Sequence, residues 1–344
     1  MGGSRVTIKD LAEKMNLSVS TISRALHNHH SISEKTTIEI RKLATQLGYF
    51  PNSVASNLRR NKTSMIGVIV PRIDIHFHSH AISGIEEIAY KSGYNVIIFQ
   101  SRDSYEKEIA ITKVLQTNMV DGVIACLALE TSDCSHFSKF SHLQVPLVFY
   151  DRVNNEIDSS KVIIDDFEAA FKATEHLINM GCKRIAHIAG CQTMNIFQAR
   201  REGYFAALAK YKLRQDPSLV YSTTDLSYDE GTKYTKKLLR LENKPDGIFC
   251  ANDNTAIAAI QTIKKANLKV PDDIAVVGFS NYPASTIIEP SLTTIDDQAF
   301  EMGQAAAKLL IRQIETKEHY ISSETIIIKT FLIPRESTNR KKIQ

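Results

Sequence analysis

Ser18, Val19, Ser20, Thr21, Ser23, Arg24 and His27 bring short polar side chains and one guanidinium together in a single stretch. Hydroxyls of this kind bond phosphate oxygens or base edges. A valine methyl can rest on a thymine methyl, and an arginine can fork onto the O6 and N7 of guanine. Such chemistry needs a rigid element narrow enough for a DNA major groove, and the spacing supplies one. Ser18 stands where it can cap a helix whose inward stripe is Ile22, Ala25 and Leu26, which leaves the polar set outside. Upstream, Thr7 and Asp10 have capping-box spacing, and Ile8, Leu11, Ala12 and Met15 share one face of an earlier helix. Asn16-Leu17 interrupts the two. Two short helices with a tight break, the second displaying groove-compatible groups, predict a helix-turn-helix.

Ser33 can cap a third helix over about 34–47, with Ile40, Leu43 and Leu47 inward and Gly48 at its end. His27, His29 and His30 lie in or beside the intervening loop without a thiol or carboxylate at ligand spacing, so they read as solvent- or phosphate-facing rather than metal-binding. Pro51 stops the third helix, and Asn52 or Ser53 can begin a brief one ending near Arg60. Its Val54, Ala55 and Leu58 sit beside Arg59-Arg60, yet it is too short to persist alone. That composition suits a helix ordered by DNA, with an apolar wedge between base steps. Charge agrees. Residues 1–62 hold ten lysines and arginines against four acids, while the rest of the chain holds 32 against 34. The basic excess lies on the small module, where phosphate neutralisation requires it.

The segments SVSTISRAL, LGYFPNSVASNLRR and MIGVIVP, in that order, resemble the LacI/GalR family of bacterial transcriptional regulators, and the likeness runs on to the terminal IPRES. The resemblance implies that Val19, Ser20 and Arg24 read bases and that Ser18, Thr21 and Ser23 help hold phosphate. It also places Thr7, His27, Tyr49, Asn52, Ala55, Leu58 and Arg59 at the DNA, with Leu58 wedged into the minor groove at the centre of a pseudo-palindromic operator. The family often has asparagine where this chain has His27.

From Met65 the pattern alternates between strands and helices. MIGVIVP, YNVIIFQ, VDGVIAC and PLVFYDR form one series; KVIIDD, RIAHIAG, GIFCAND and AVVGFS form another. Repeated units of this kind predict α/β architecture with parallel, doubly wound sheets, here two lobes of periplasmic-binding-protein type behind an all-α head. The expected division is a head over 1–50, a hinge over 51–62, a core over 63–337 and a tail over 338–344. Within the core, one lobe takes about 63–162 and 293–325, and the other about 163–292 and 326–337. Asp165-Asp166 and Asp296-Asp297 fall at the crossovers.

Ligands of such sheets bind beyond the carboxyl ends of the strands. By resemblance, Phe77 is a pocket-lip aromatic, and Asp151, Arg200, Asn252 and Ser280 contact an effector. Leu226 stands where several relatives place a stacking aromatic. Asn281 and Asp297 complete the candidate set. Ser280-Asn281 stands where relatives often carry acids, which removes a strong acceptor. With Arg200 and Asp151 opposite, it points to a carbohydrate, neutral or bearing one acidic group, in preference to a cationic or purine ligand. His76, His78 and His80 read as lip histidines rather than a metal cluster. A strand would put all three on one side; a helix would pair His76 with His80.

Five scattered cysteines without a C-x-x-C pair indicate reduced thiols. No apolar run approaches membrane-spanning length, and the N-terminus lacks an apolar signal region, so a cytoplasmic location without membrane association is expected. A solute-binding protein would share the core but not the head. An enzyme on doubly wound sheets would be expected to carry a motif such as G-x-G-x-x-G, G-x-x-x-x-G-K-[ST] or G-x-S-x-G, and none is present. The expectation is therefore a homodimeric, sequence-specific regulator of double-stranded DNA, needing no cofactor and controlled by a small ligand. Repression is the family's usual mode.

Overall fold

The computed structural model describes residues 6–49, 62–316 and 322–340. Asn52, Ala55, Leu58 and Arg59, the expected hinge, lie outside them. The chain divides between residues 63 and 64 into two compact units.

The first unit is a three-helix head: α1 (Ile8–Met15), α2 (Val19–Leu26) and α3 (Glu34–Gln46). Leu11, Ala12, Ile22, Ala25, Ile40 and Ala44 are buried together, and Leu17, Leu47 and Tyr49 pack around them. Asn16 adopts left-handed backbone (φ 51°), which ends α1 and turns the chain into α2.

The second unit holds two six-stranded sheets. Its strands are β1 (Met65–Val70), β2 (Asn95–Gln100), β3 (Gly122–Ala125), β4 (Leu147–Tyr150), β5 (Ser160–Ile164), β6 (Ile185–Ala189), β7 (Val220–Ser222), β8 (Gly247–Cys250), β9 (Ala275–Phe279), β10 (Thr293–Asp296), β11 (Thr325–Ile328) and β12 (Phe331–Ile333). The first sheet runs β11-β5-β4-β3-β1-β2 and the second β12-β10-β9-β8-β6-β7. Strands within each are parallel, except that β12 lies antiparallel to β10. Both sheets therefore carry the order 2-1-3-4-5 of doubly wound folds, with one added edge strand.

Three elements join sheets other than those expected. KVII begins no new lobe: β5 pairs with β4, Val148 opposite Ser160. LTTID, expected in the first lobe, forms β10 beside β9 in the second. ETIII, expected to open the second lobe's last segment, forms β11 beside β5 in the first. The chain thus passes between lobes at Asp165, after Asp296, and between Ile328 and Phe331. Residues 151–159 join β4 to β5 without a helix. Parallel neighbours normally require a crossover helix, so the missing helical pattern reads as a boundary where there is none.

Helices cover both faces of each sheet. α4 (His76–Lys91), α5 (Tyr105–Thr117) and α6 (Ser135–His142) follow the first strands. α7 (Asp166–Asn179), α8 (Asn195–Lys210), α9 (Tyr228–Leu239), α10 (Asp253–Lys265) and α11 (Ala284–Ile287) belong to the second lobe. α12 (Ala299–Glu315) returns to pack on α4. Glycines set this last approach. A Cβ on Gly84 would collide with the Phe300 carbonyl, and one on Gly303 with that of Ala81. Gly303→Val is accordingly expected to cost about 1–3 kcal/mol or more through overpacking. An unchanged urea midpoint would show that the helices can separate freely.

Candidate functional site

The head presents its polar face as the caps dictate. The Ser18 hydroxyl accepts the Thr21 amide at 3.1 Å and lies 2.8 Å from the hydroxyls of Ser20 and Thr21. The Thr7 amide and hydroxyl donate to the Asp10 carboxylate at 2.7 and 2.9 Å, which holds Asp10 below its ordinary pKa and anchors α1. With Ile22 and Ala25 inward, Val19 is 42% exposed, Ser20 and Arg24 are exposed, and Thr21 and Ser23 are half-buried. His27 Nδ1 lies 2.8 Å from the Ser23 carbonyl. A carbonyl only accepts, so that nitrogen carries the proton and Nε2 is the ring's remaining polar atom. Tyr49 packs on the head core.

The second candidate lies in a cleft between the two lobes. The first lobe contributes Phe77 and His78 from the start of α4 and Asp151 and Arg152 from beyond β4. The second contributes Phe197 and Arg200 from α8, Leu226 from beyond β7, Asn252 from beyond β8, and Ser280 and Tyr282 from beyond β9. Asp297 comes from beyond β10. All stand past carboxyl ends of strands, where a doubly wound sheet leaves its crevice. Asp151, Leu226 and Ser280 all have positive φ, at 60°, 53° and 93°. Non-glycine residues enter that region at a cost, and such strain collects where side chains must be aimed.

Seven of the eight expected effector residues line this cleft. Asn281 does not. Its amide donates to Asp296 at 3.0 Å, and its oxygen accepts from Arg335 at 2.7 Å. The turn after β9 therefore spends this residue on joining β10 to the C-terminal segment. Asn252 reaches the cleft with its amide already engaged, capping α10 through the Thr255 amide at 2.9 Å and donating to the Leu226 carbonyl at 3.0 Å. Arg200 is also partly committed. Its Nε bonds Asp166 at 2.7 Å, its Nη1 bonds the Ala251 carbonyl at 2.9 Å, and its plane lies 3.6 Å from the Phe279 ring centre.

Burial governs the acids. It raises Asp151, lifts Asp166 to about 6 and lifts Asp297 to about 8. Asp253 rises to about 7, although it accepts the Tyr282 amide at 2.7 Å and the Thr294 hydroxyl at 2.6 Å. His78 is driven well below its ordinary value by the same desolvation and stays neutral. Its Nδ1 is buried without a hydrogen-bond partner among the described residues.

His78 lines the cleft as a lip histidine, whereas Arg152, Phe197 and Tyr282 were not singled out as effector contacts. Arg152 and Phe197 follow β4 and β6, and Tyr282 follows the Ser280-Asn281 turn, with nothing but their neighbours to announce them. Helix α4 pairs His76 with His80, ring centres 4.2 Å apart, and sends His78 inward. No three His, Cys, Asp or Glu side chains converge as a metal site among the described residues. All five cysteines are free thiols.

A helix-turn-helix head and a two-lobed core with a cleft beyond its strand ends define a DNA-binding regulator with a ligand-binding core. Residues 7–52 match the family described as bacterial regulatory proteins, lacI family, and residues 174–338 match the periplasmic binding protein-like domain. The HTH-type transcriptional repressor CytR of Escherichia coli (strain K12) is 33% identical over 96% of both chains. The transcriptional regulator CelR, solved as a cellobiose complex, is 26% identical with a TM-score of 0.74, over 97% of this chain and 100% of its own. The lac repressor dimer bound to operator and the anti-inducer ONPF shares the fold at a TM-score of 0.86 and 24% identity, over 97% of this chain and 99% of its own. The chain belongs to the LacI family of bacterial regulatory proteins, and it is a transcriptional regulator. No helix among the described residues is long and apolar enough to cross a membrane.

Proposed function

We propose that this protein is a homodimeric repressor that acts in the cytoplasm, without catalysis, and whose affinity for a pseudo-palindromic operator is set by a carbohydrate effector held between the core lobes. The observation that carries the reading is the outward polar face of α2, fixed by the Ser18 cap above a three-helix core. Val19, Ser20 and Arg24 read bases; Ser18, Thr21 and Ser23 help hold phosphate. Thr7, His27, Tyr49, Asn52, Ala55 and Arg59 also contact the DNA, and Leu58 enters the minor groove. Two identical heads suit two half-sites about one helical turn apart. The effector occupies the cleft lined by Phe77, Asp151, Arg200, Leu226, Asn252, Ser280 and Asp297, and the cellobiose complex of CelR supports a sugar there. Control follows if the sugar binds two lobe arrangements unequally. The domain division is a head through residue 50, a hinge over 51–62 and the core beyond.

Selection from random duplex DNA tests this: a palindromic consensus is expected, and no enrichment would refute it. Arg24→Ala should weaken binding to that consensus by about 1–3 kcal/mol and binding to random DNA by less. Equal losses, measured by fluorescence anisotropy at one salt concentration, would make Arg24 a phosphate contact.

A further inference from the structure

Two acids in the cleft lack a close cationic partner among the described residues. Asp151 and Asp297 are buried and line it, and neither forms an ion pair among the described residues. The Asp151 carboxylate accepts only the Cys126 thiol, at 3.7 Å, and Asp297 is bonded by the Ser280 side chain. The neighbouring cations hydrogen-bond other groups, Arg200 to Asp166 and the Ala251 carbonyl and Arg152 to Asp103 at 2.6 Å, and act on Asp151 only through space. The two acids also stand on opposite walls, one residue past β4 in the first sheet and one past β10 in the second. A hydroxyl would satisfy one lone pair of Asp151 and leave its charge. An ammonium supplies three donors and the missing positive charge together. A divalent metal would need further ligands, and no third His, Cys, Asp or Glu joins them among the described residues. Phe77, Phe197 and Leu226 offer apolar faces to a ring.

We propose that the effector is an amino sugar whose charged primary amine seats between Asp151 of the first lobe and Asp297 of the second. This rests on the cleft being the effector site, and it sharpens the carbohydrate class to a cationic member. It gives the amine a second task, since one charge drawn to both acids favours the closed cleft.

Binding then has a proton signature. Burial, aided by Asp151 and Asp296 and opposed by Ser280 and Arg200, lifts Asp297 to about 8; Tyr282 also faces it. The empty cleft at pH 7 therefore holds that carboxyl protonated. An arriving ammonium displaces the proton, so about one proton is released per ligand. A neutral sugar leaves it in place.

The full chain is titrated calorimetrically at pH 7 with glucosamine, galactosamine and mannosamine, each beside its N-acetyl and parent sugar. Phosphate and MOPS, which differ in ionisation enthalpy and are not primary amines, serve as buffers. At least one amine should bind tenfold or more tighter than both its counterparts and release a proton. Asp297→Asn, nearly the same shape, should lose that tenfold preference and the proton, and Asp151→Asn should lose the preference. Overturning results are equal binding of amine and parent sugar, no amine binding, or amine binding without proton release. Operator affinity is followed in the same samples. A neutral sugar that shifts it overturns the amine alone; an amine that binds without shifting it overturns the effector reading and the proposal with it.

Discussion

Arg200→Ala is expected to destabilise the core by about 3–5 kcal/mol and to abolish ligand binding in the cleft. Arg200 and Asp166 are both buried and joined at 2.7 Å, so removing the guanidinium strands a carboxylate away from water. The cost should depend on pH with a definite sign. Asp166 titrates at about 6 in the folded protein against 3.8 for an ordinary aspartate, because burial outweighs the pull of Arg200. A group raised in this way contributes fully below its unfolded value and loses that contribution as pH climbs through the folded one. Without Arg200 the folded value climbs higher. The stability gap between wild type and Arg200→Ala should therefore widen from pH 5 to pH 8, and adding Asp166→Asn should narrow it. Urea unfolding at the two pH values measures both, and a gap independent of pH would exclude a stranded carboxylate as the cause.

A second large loss is expected at Glu108, which touches no part of the cleft surface. This fully buried residue of α5 accepts the Ala128 amide at 2.8 Å and the Thr131 hydroxyl at 2.7 Å, and it lies 3.0 Å from His136 Nε2. It thereby pins the segment after β3 from within. Leu129, on that segment, lines the cleft, and its amide donates to Asp103 at 3.1 Å. Glu108→Ala leaves buried donors without an acceptor and should cost at least about 3 kcal/mol. Glu108→Gln, which keeps one acceptor, should cost less. Effector affinity should fall in the same order. Hydrogen exchange at residues 127–131 would locate the effect, and protection unchanged in the alanine variant would mean that another anchor holds the loop.

The head was legible because each of its decisions is local. Thr7, Ser18 and Ser33 announce helix starts, and the buried stripe from Leu11 to Ala44 follows helical spacing. The apolar runs announced the central strands in the same way. Two helices carried weaker signals: α6, with the sequence SHFSKFSH, buries His136, Phe137 and Phe140 behind a mostly polar composition, and α9 follows a loop of serines, threonines and acids. Which sheet a strand joins is a non-local choice. Val162 and Ile295 look alike as apolar strand residues, and only pairing separates their lobes. The cleft shows the same division. Strand ends located Asp151, Arg200 and Asp297, but the partners that decide their charge lie far away in sequence. The uncharged turn at Ser280-Asn281 argued for a neutral or acidic sugar. In the structure Asn281 faces Arg335 instead of the cleft, and the acids that line the cleft, Asp151 and Asp297, are the ground for the cationic sugar proposed above.

The late strands also set an order of assembly. The head closes on contacts made within its first 49 residues and can fold as soon as they leave the ribosome. The core cannot follow piecemeal. The first sheet waits for β11 and the second for β12, both beyond residue 324, while α12 must arrive to cover the face that α4 offers. During synthesis, a finished DNA-reading module therefore precedes two unfinished lobes whose β5 and β10 edges lack their last partners. The arrival of β11 and β12 completes both lobes almost together, so ligand competence comes for the whole cleft at once.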